Sequence, residues 1–484
     1  MSGLIAVFNE SESSEDLDPL IEKVKFRGKR CDCEIIEENC SMTFLSGNQK
    51  EEDNGLPLAV DGYLMFSGEE GKTIQGAEGL EHFCKIMKKE GLSCFDNIEG
   101  EFALAFSDGS GSCLVARDPL GVKPLYYARK DDTLYIASEI KALIDLDSKI
   151  KEVPPGCYYD RKKGWVKYYH LPPVGGKSKL SLAEAEEKMR YLLALAVEER
   201  ISGVEGLGVY LSGGLDSSVV AALAAEISEE PIFTYTVGVK GSRDIEYAAM
   251  VADRIGSDHH VYTYGLDEMM KVLPDVIYHL ESFDCAYVRS SIPNFIAARQ
   301  AAADGRRVML TGEGSDEMFA GYSYLKSLDS EEEIVSEIEG FFRNLSRTGL
   351  QRVDRMNAAH GLECRVPFLK LSLLEMVREF PLDWKLREEK AEPVDKWILR
   401  RAFEKEIGAK VAWREKQQFD QGSGSAGMLE AVAEEEISDS EYAAEAESAP
   451  VPVRNKEELY YFRIFRQFYP ESVLPLVGRW GKTG

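Results

Sequence analysis

No apolar run in the 484 residues approaches the length of a membrane span, so the sequence predicts a soluble protein. Nothing at the N-terminus reads as a basic-then-apolar leader, and the nine cysteines include no C-x-x-C pair. Those two absences predict reduced thiols and a cytoplasmic location. Cys31, Cys33 and Cys40 form the densest group, but without a second matching pair they read as idle thiols near a strand. Basic residues are scarce as well, 58 against 84 acidic ones, for a formal charge of −26. Neutralising phosphates along a duplex needs a basic face, so nucleic acid is excluded as an expected partner, as is a membrane. The acidic excess speaks to solubility and not to chemistry. At this length and 44% apolar content, two domains with separate cores are expected.

What is present is concentrated in residues 207–227, LGVYLSGGLDSSVVAALAAEI. LGVYL is of buried-strand type and DSSVVAALAAEI of helical type. Between and around them lie Leu211, Ser212, Gly213, Gly214, Asp216, Ser217 and Ser218. Adjacent glycines let the backbone turn sharply and approach a ligand with no Cβ in the way. The N–H groups of the first helical turn, with the helix dipole, favour an anion there. The hydroxyls add donors, and Asp216 can hold a divalent cation against a phosphate. The stretch lacks the lysine of G-x-x-x-x-G-K-[ST]. A Gly-Gly pair alone would read as an ordinary turn. Three hydroxyls and a carboxylate in the same turn favour a phosphate cradle.

Strand and helix patterns alternate on either side. SLAEAEEKMRYLLALAVEERI, DIEYAAMVADRIG, LDEMMKVLPDVIYHLES and IPNFIAARQAAAD read as helices; PIFTYTVGV, DHHVYTYG and RRVMLTG read as strands. This predicts a parallel sheet with helices on both faces and ligands beyond the carboxyl ends of its strands. The cradle, Val237-Gly238 and Thr311-Gly312-Glu313 all fall at such ends. Glu313, Asp316 and Glu317 crowd one turn, and carboxylates that close repel unless a cation or proton intervenes. Asp316 with Asp216 suits Mg²⁺ on ATP phosphates, leaving Glu313 for proton work on an attacking amine. Adjacent His259 and His260 face opposite sides of a strand and read as structural, as does His279 on an apolar helix.

Before residue 175 the pattern is one of short strands (LIAVFN, CDCEII, SMTFLSG, LPLAVDGYLMFSG, EGEFALAFSD, GSCLVARD, KPLYYARK, DTLYIASE) with two helices, a layered α+β arrangement. After residue 330 helices dominate. Residues 421–453 are small and acidic, which predicts a mobile or ligand-ordered segment. EELYYFRIFRQFYP, beyond it, reads as an amphipathic helix packed on the body.

SGGLDSS resembles the pyrophosphate loop of the ATP pyrophosphatases. Together with GEGSDE, Gly361–Leu369, Ala412–Phe419 and the N-terminal EGEFALAFSD, ARDPLGVKPLYY and LYIASEIKALI, it makes the chain similar to glutamine-dependent, B-type asparagine synthetases over nearly its whole length. That resemblance implies an N-terminal nucleophile (Ntn) hydrolase-like four-layer α+β sandwich over residues 1–175. An α/β parallel-sheet ATP pyrophosphatase domain, adenine nucleotide alpha hydrolase-like and with helical C-terminal additions, would follow over 176–484. It also implies ATP and Mg²⁺, a homodimer, and Lys416 stabilising charge on the phosphates. Arg289 and Ser290 fall in the acceptor-pocket segment Cys285–Pro293, which lacks the family's threonines. Arg289 reads equally as a bidentate carboxylate grip or as a structural ion-pair arginine. Lys370 stands where the family has aspartate.

The departures gather in the N-terminal part. Ser2 occupies the place of the family's nucleophilic cysteine. The Arg-His-Arg-Gly-Pro-Asp loop is reduced to Phe26–Arg30, and Asn-Gly-Glu reads Asp61-Gly62-Tyr63, without its oxyanion-donating amide. Gly-Ser-Asp reads Gln75-Gly76-Ala77-Glu78. An inactive glutaminase remnant is expected. The resemblance thus implies a ligase that adenylates the aspartate side chain and forms asparagine, AMP and pyrophosphate, with ammonia taken free or from a separate protein. The alternatives are another acid or amine, as in β-lactam-forming relatives (which carry Tyr at the Glu313 position), and a non-catalytic regulatory homologue.

Overall fold

Residues 4–8 read Leu-Ile-Ala-Val-Phe with no polar residue in alternation, as a strand must when both its faces are covered. The computed structural model describes residues 2–9, 17–31, 40–46, 58–67, 73–107, 113–160, 162–175, 178–389, 392–416 and 422–480. In it, strand β1 (Ser2–Asn9) buries Leu4, Ala6 and Phe8 against a second sheet and Ile5 and Val7 against helices. The strands that follow are β2 (Lys29–Cys31), β3 (Cys40–Ser46), β4 (Leu58–Ser67), β5 (Thr73–Gln75) and β6 (Ile98–Ser107). Next come β7 (Cys113–Arg117), β8 (Tyr126–Lys130), β9 (Thr133–Ala137), β10 (Lys151–Glu152), β11 (Cys157–Asp160) and β12 (Gly164–Lys167).

They form two antiparallel sheets, ordered β10-β8-β9-β1-β3-β2 and β12-β11-β7-β6-β4-β5. Ala6, Ala59, Ala103 and Ala105 lie between the sheets, small enough for the two to stack closely. Leu64 and Phe66 on the outer face of the second sheet are covered by Phe83 of the helix Gly76–Glu90. The outer face of the first shares one buried cluster with Leu20 and Ile21 of the short helix Asp18–Glu22, Leu143 of Ile140–Leu143, and Val276 and Ile277 of Leu266–Leu280. Most of CDCEII, read as a strand, lies outside the described residues.

Five further strands, β13 (Leu207–Tyr210), β14 (Phe233–Gly238), β15 (Asp258–Thr263), β16 (Val308–Leu310) and β17 (Glu363–Arg365), form a parallel sheet ordered β15-β14-β13-β16-β17, and Leu386–Glu389 pairs with Glu392–Asp395 in a separate antiparallel ribbon. The helices Leu215–Ile227 and Arg243–Ile255 connect strands that step one way across it. The chain then returns through Leu266–Leu280 and Cys285–Ala303 to β16. Right-handed crossovers put the two pairs of helices on opposite faces. Helix Leu182–Ile201 leads in, started by a reciprocal cap between Ser181 and Glu184.

Two segments differ from the sequence reading. The helix read from Ile292 begins at Cys285, where Asp284 accepts a bond from Tyr287 N (3.2 Å), so the segment Cys285–Pro293 is helical throughout. Within residues 421–453, read from composition as mobile or ligand-ordered, the helices Met428–Glu436 and Asp439–Ser448 form. Alanine and glutamate favour helix there, a Ser438–Glu441 capping box starts the second, and Leu429, Ala433 and Ile437 are buried. EELYYFRIF is a helix, Lys456–Phe465, burying Leu459, Tyr461, Phe462 and Phe465. Lys370, in place of an aspartate, is buried with its ammonium 2.8 and 2.9 Å from Glu199 and 3.3 Å from Glu99 of β6. Among the described residues no helix is long and apolar enough to cross a membrane.

Candidate active site

Strand order reverses between β13 and β16, so the loops leaving their carboxyl ends diverge and open a crevice. The loop after β13 turns at Gly213, with φ +68°; a Cβ there would lie 2.4 Å from Ala248 N. Ser217 Oγ accepts from Ser212 N (3.1 Å) and lies 3.0 Å from Ser212 Oγ, closing the loop on itself. Leu211 N donates to Tyr235 O of β14 (2.9 Å). Ser218 is fully buried, and its hydroxyl has no partner among the described residues.

The two loops touch. A Cβ on Gly312 would sit 2.7 Å from Asp216 Cβ and 2.9 Å from Ser217 N, so only glycine permits the approach. Ser315 Oγ donates to Asp216 Oδ1 (2.7 Å). Thr311 N donates to Arg365 O of β17 (3.2 Å), which pins the far end of the second loop.

Lys396 lies between the two aspartates. Its Nζ is 2.6 Å from Asp216 Oδ2, 2.5 Å from Asp316 Oδ1 and 3.3 Å from Ser315 Oγ. Lys416 also pairs with Asp316, its ammonium 5.2 Å from the centre of the Tyr322 ring. Burial on its own would raise the Asp316 carboxyl, but Lys396 and Lys416 hold it well below the usual carboxylate range. Burial likewise works against the charge on Lys396, which Asp216 and Asp316 outweigh, holding it above the ordinary lysine range.

These two carboxylates fit a hard cation. Both reach one point, and the Lys396 ammonium already stands there as a positive charge. Among the described residues no group of three or more His, Cys, Asp or Glu side chains is placed to hold a metal. An ion at Asp216 and Asp316 would therefore complete its shell with water and phosphate oxygens, which is the habit of Mg²⁺.

Glu313 points to the other side. Arg352 Nη2 donates to both its oxygens, at 2.9 and 2.7 Å. Tyr322 donates to Glu317 Oε1 (2.6 Å). Burial first, then Glu313 and Asp316, push the Glu317 carboxyl up to about 7. Val237 and Gly238 end β14 as read, and Val239 N just beyond donates to Ser423 O (2.7 Å).

Arg289 Nη1 lies 3.6 Å from the buried Glu457, the arrangement of an ion-pair arginine. Ser290 Oγ turns back to Ala286 O (2.7 Å) and Tyr287 O (3.2 Å) on its own helix. The segment reaches the crevice through Tyr287, which packs on Trp480 (ring centres 6.2 Å), itself 5.1 Å from Tyr322. His259 Nδ1 is 2.9 Å from Thr234 Oγ1 and His260 is 3.2 Å from Asp304, both within the sheet edge. His279 packs on Phe26 (4.5 Å), and burial, with Lys141, pushes its imidazole down to about 3.

Sequence reasoning missed Lys396, Arg352 and Arg414; the last donates to Gly213 O (3.1 Å) and Asp244 (2.6 Å). Lys396 left one signal, since a lysine just before a helical pattern opposes the helix dipole. Its φ of +52° is equally unusual for a side chain of that size.

In the N-terminal sheets, Ser2 opens β1, paired with Ser46. Asp61 Oδ2 accepts from Ser138 Oγ (2.8 Å) and Arg27 (3.1 Å).

Comparison with known proteins follows the same division. The family described as asparagine synthase matches residues 188–348 and 339–474, and the glutamine amidotransferase domain family matches 66–145. A probable glutamine-hydrolysing asparagine synthetase of Schizosaccharomyces pombe is 30% identical, over 99% of this chain and 96% of that protein. The enzyme of Sandersonia aurantiaca is 30% identical over 98% of each. Asparagine synthetase B of Escherichia coli is 30% identical over 90% of this chain and 82% of its own.

The chain belongs to the asparagine synthetase family.

The asparagine synthase matches hold both loops of the crevice and the lysines that close it. The amidotransferase match begins after Ser2, Arg27 and Asp61 but takes in Gln75–Glu78.

Proposed function

We propose that the crevice makes asparagine from aspartate, ATP and ammonia by way of an aspartyl-adenylate. The aspartate side-chain carboxylate attacks the α-phosphorus of ATP, a P–O bond forms, and pyrophosphate leaves. Ammonia then attacks the activated carbonyl, loses a proton and displaces AMP. The observation that carries this reading is Lys396 lying between Asp216 and Asp316, beside the Ser212–Ser218 loop.

Roles follow from position. The loop N–H groups and hydroxyls receive the β- and γ-phosphates. Lys396 and Lys416 meet the charge that develops on pyrophosphate as it leaves. Asp216 and Asp316 would hold Mg²⁺, which supplies further neutralisation of that charge when bound. The backbone around Leu211, Val237 and Gly238 lines the adenosine side, with Thr311 and Gly312 opposite. Glu313, oriented by Arg352, takes the proton from the attacking amine. Arg289 and Ser290 face the acceptor if Glu457 yields its pairing.

The N-terminal part, residues 1–175, serves as a glutaminase remnant beside a ligase domain over 176–484. Arg27 and Asp61 satisfy each other, leaving neither for glutamine. Ammonia comes from solution or a separate protein, and a cytoplasmic setting suits the ATP requirement.

The test is to supply ATP and Mg²⁺ with aspartate and either ammonium or glutamine, alongside a panel of other acids. Asparagine, AMP and pyrophosphate should appear in equal amounts with ammonium. Preference for another acid would overturn the substrate, and glutamate release from glutamine would overturn the remnant.

A further inference from the structure

The guanidinium of Arg27 is fully buried and touches three carboxylates. It donates to both oxygens of Asp354 (Nη1 2.9 Å, Nη2 3.2 Å), to Glu139 (2.6 Å) and to Asp61 (3.1 Å). Asp354 belongs to the other half of the molecule, on the helix Gly349–Ala358. The next residue on that helix, Arg355, is also fully buried and donates to Ser138 O (3.0 Å) and Glu281 (2.9 Å). Asp354 through Arg27, and Arg355 through Ser138 O and Glu139 (3.0 Å), thus fasten one side of the helix to the N-terminal half by buried charge-assisted bonds.

The other side of the same helix holds Glu313. Arg352 donates to both its oxygens, and the start of the helix lies against it so closely that a Cβ on Gly349 would fall 2.3 Å from Glu313 Oε1. Any shift of the helix along its axis therefore moves the Glu313 carboxylate with it. Packed elements of this kind move as units.

We propose that Arg27 is a positioning residue for the ligase reaction: by gripping Asp354 it fixes the helix that places Glu313 for the amine-attack step. The proposal rests on the asparagine-forming reading, and it predicts a specific kinetic defect. Losing the grip should spare adenylation and impair use of the adenylate.

The experiment uses the full chain carrying Arg27→Lys, which keeps the charge and loses the forked contact. Aspartate-dependent ATP–pyrophosphate exchange reads adenylation, and asparagine formed per pyrophosphate released reads amine attack. Expected are exchange within twofold of the parent and a fall of at least threefold in asparagine per pyrophosphate, with the KM for aspartate unchanged. Arg352→Lys should show the same split, and the double variant should be no worse than Arg352→Lys alone, because both act through Glu313. A folded Arg27→Lys protein with an unchanged product ratio, or losses that multiply in the double variant, would overturn the proposal. Should Arg27→Lys fail to fold, Asp354→Asn takes its place, since it removes the charge that Arg27 grips and keeps the side chain's shape. The same fall in asparagine per pyrophosphate is then expected, and an unchanged ratio would again overturn the proposal. Parent protein that forms no asparagine rejects the functional reading; active parent with unaffected variants rejects only the role of Arg27.

Discussion

Arg352 holds Glu313 from a single nitrogen, 2.9 Å from one oxygen and 2.7 Å from the other. A carboxylate gripped at both oxygens keeps one orientation, which a base needs if it is to meet an incoming amine. Replacing Glu313 with Gln should therefore lower asparagine formation by about 10²- to 10⁴-fold, while aspartate-dependent ATP–pyrophosphate exchange persists. Loss of both together would move Glu313 to the adenylation step.

Lys396 is the keystone of the phosphate side. Lys396→Met should abolish pyrophosphate release and take the ion pair from Asp216, leaving Asp316 with Lys416 alone. Both aspartates are partly exposed, with side chains 22% and 27% accessible, so the cost in stability should be about 1–3 kcal/mol. Millimolar Mg²⁺ should return part of that loss as a rise in Tm, and should do much less for the parent. No response to Mg²⁺ would argue against a cation between the two aspartates.

The outline of this site was legible because it rests on short-range chemistry. Two glycine-hinged loops, each following a buried strand, declared themselves through Ser212–Ser218 and Thr311–Glu317. Strand alternation then placed both at one end of a parallel sheet. Lys396 and Arg352 were not legible, since each lies in a helical stretch and meets its partner only through the fold; Lys396 is 180 residues from Asp216. The helix read from Ile292 starts seven residues earlier, at Cys285, because Asp284 caps it through a contact that the apolar pattern does not show. Over residues 428–448 composition showed the acidic, small-residue character but not the helices that acidic residues and alanines build there.

Restoring the nucleophile should not restore glutamine use. Ser2→Cys, assayed for glutamate release, should remain at background. Asp61 would still present a carboxylate where an amide donor is needed, and Arg27 would still be committed to Asp354 and Glu139. Measurable glutaminase activity in that variant would show that these two residues can rearrange around substrate.

Stability should carry a signature from Lys385, which is 1% exposed. Burial, aided by Arg378 and opposed by Glu339, pulls its ammonium down from 10.5 to about 7. Between those pH values the unfolded chain holds a proton that the folded chain has released, so stability rises with pH across this window. Lys385→Met should remove that slope and raise stability at pH 7 by an amount on the order of 4 kcal/mol. Denaturant midpoints measured from pH 7 to 10 would check both.

Lys370 ties Glu199, on the helix leading into the parallel sheet, to Glu99 of the antiparallel one. Selection cannot discard the first 175 residues as readily as it can silence them. A gene trimmed to the ligase half would encode a protein in which Asp354 has lost Arg27 and Lys123, Lys370 has lost Glu99 and Arg355 has lost Glu139, along a raw surface. Whatever chemistry the first half retains, its neighbour was never built to meet water there.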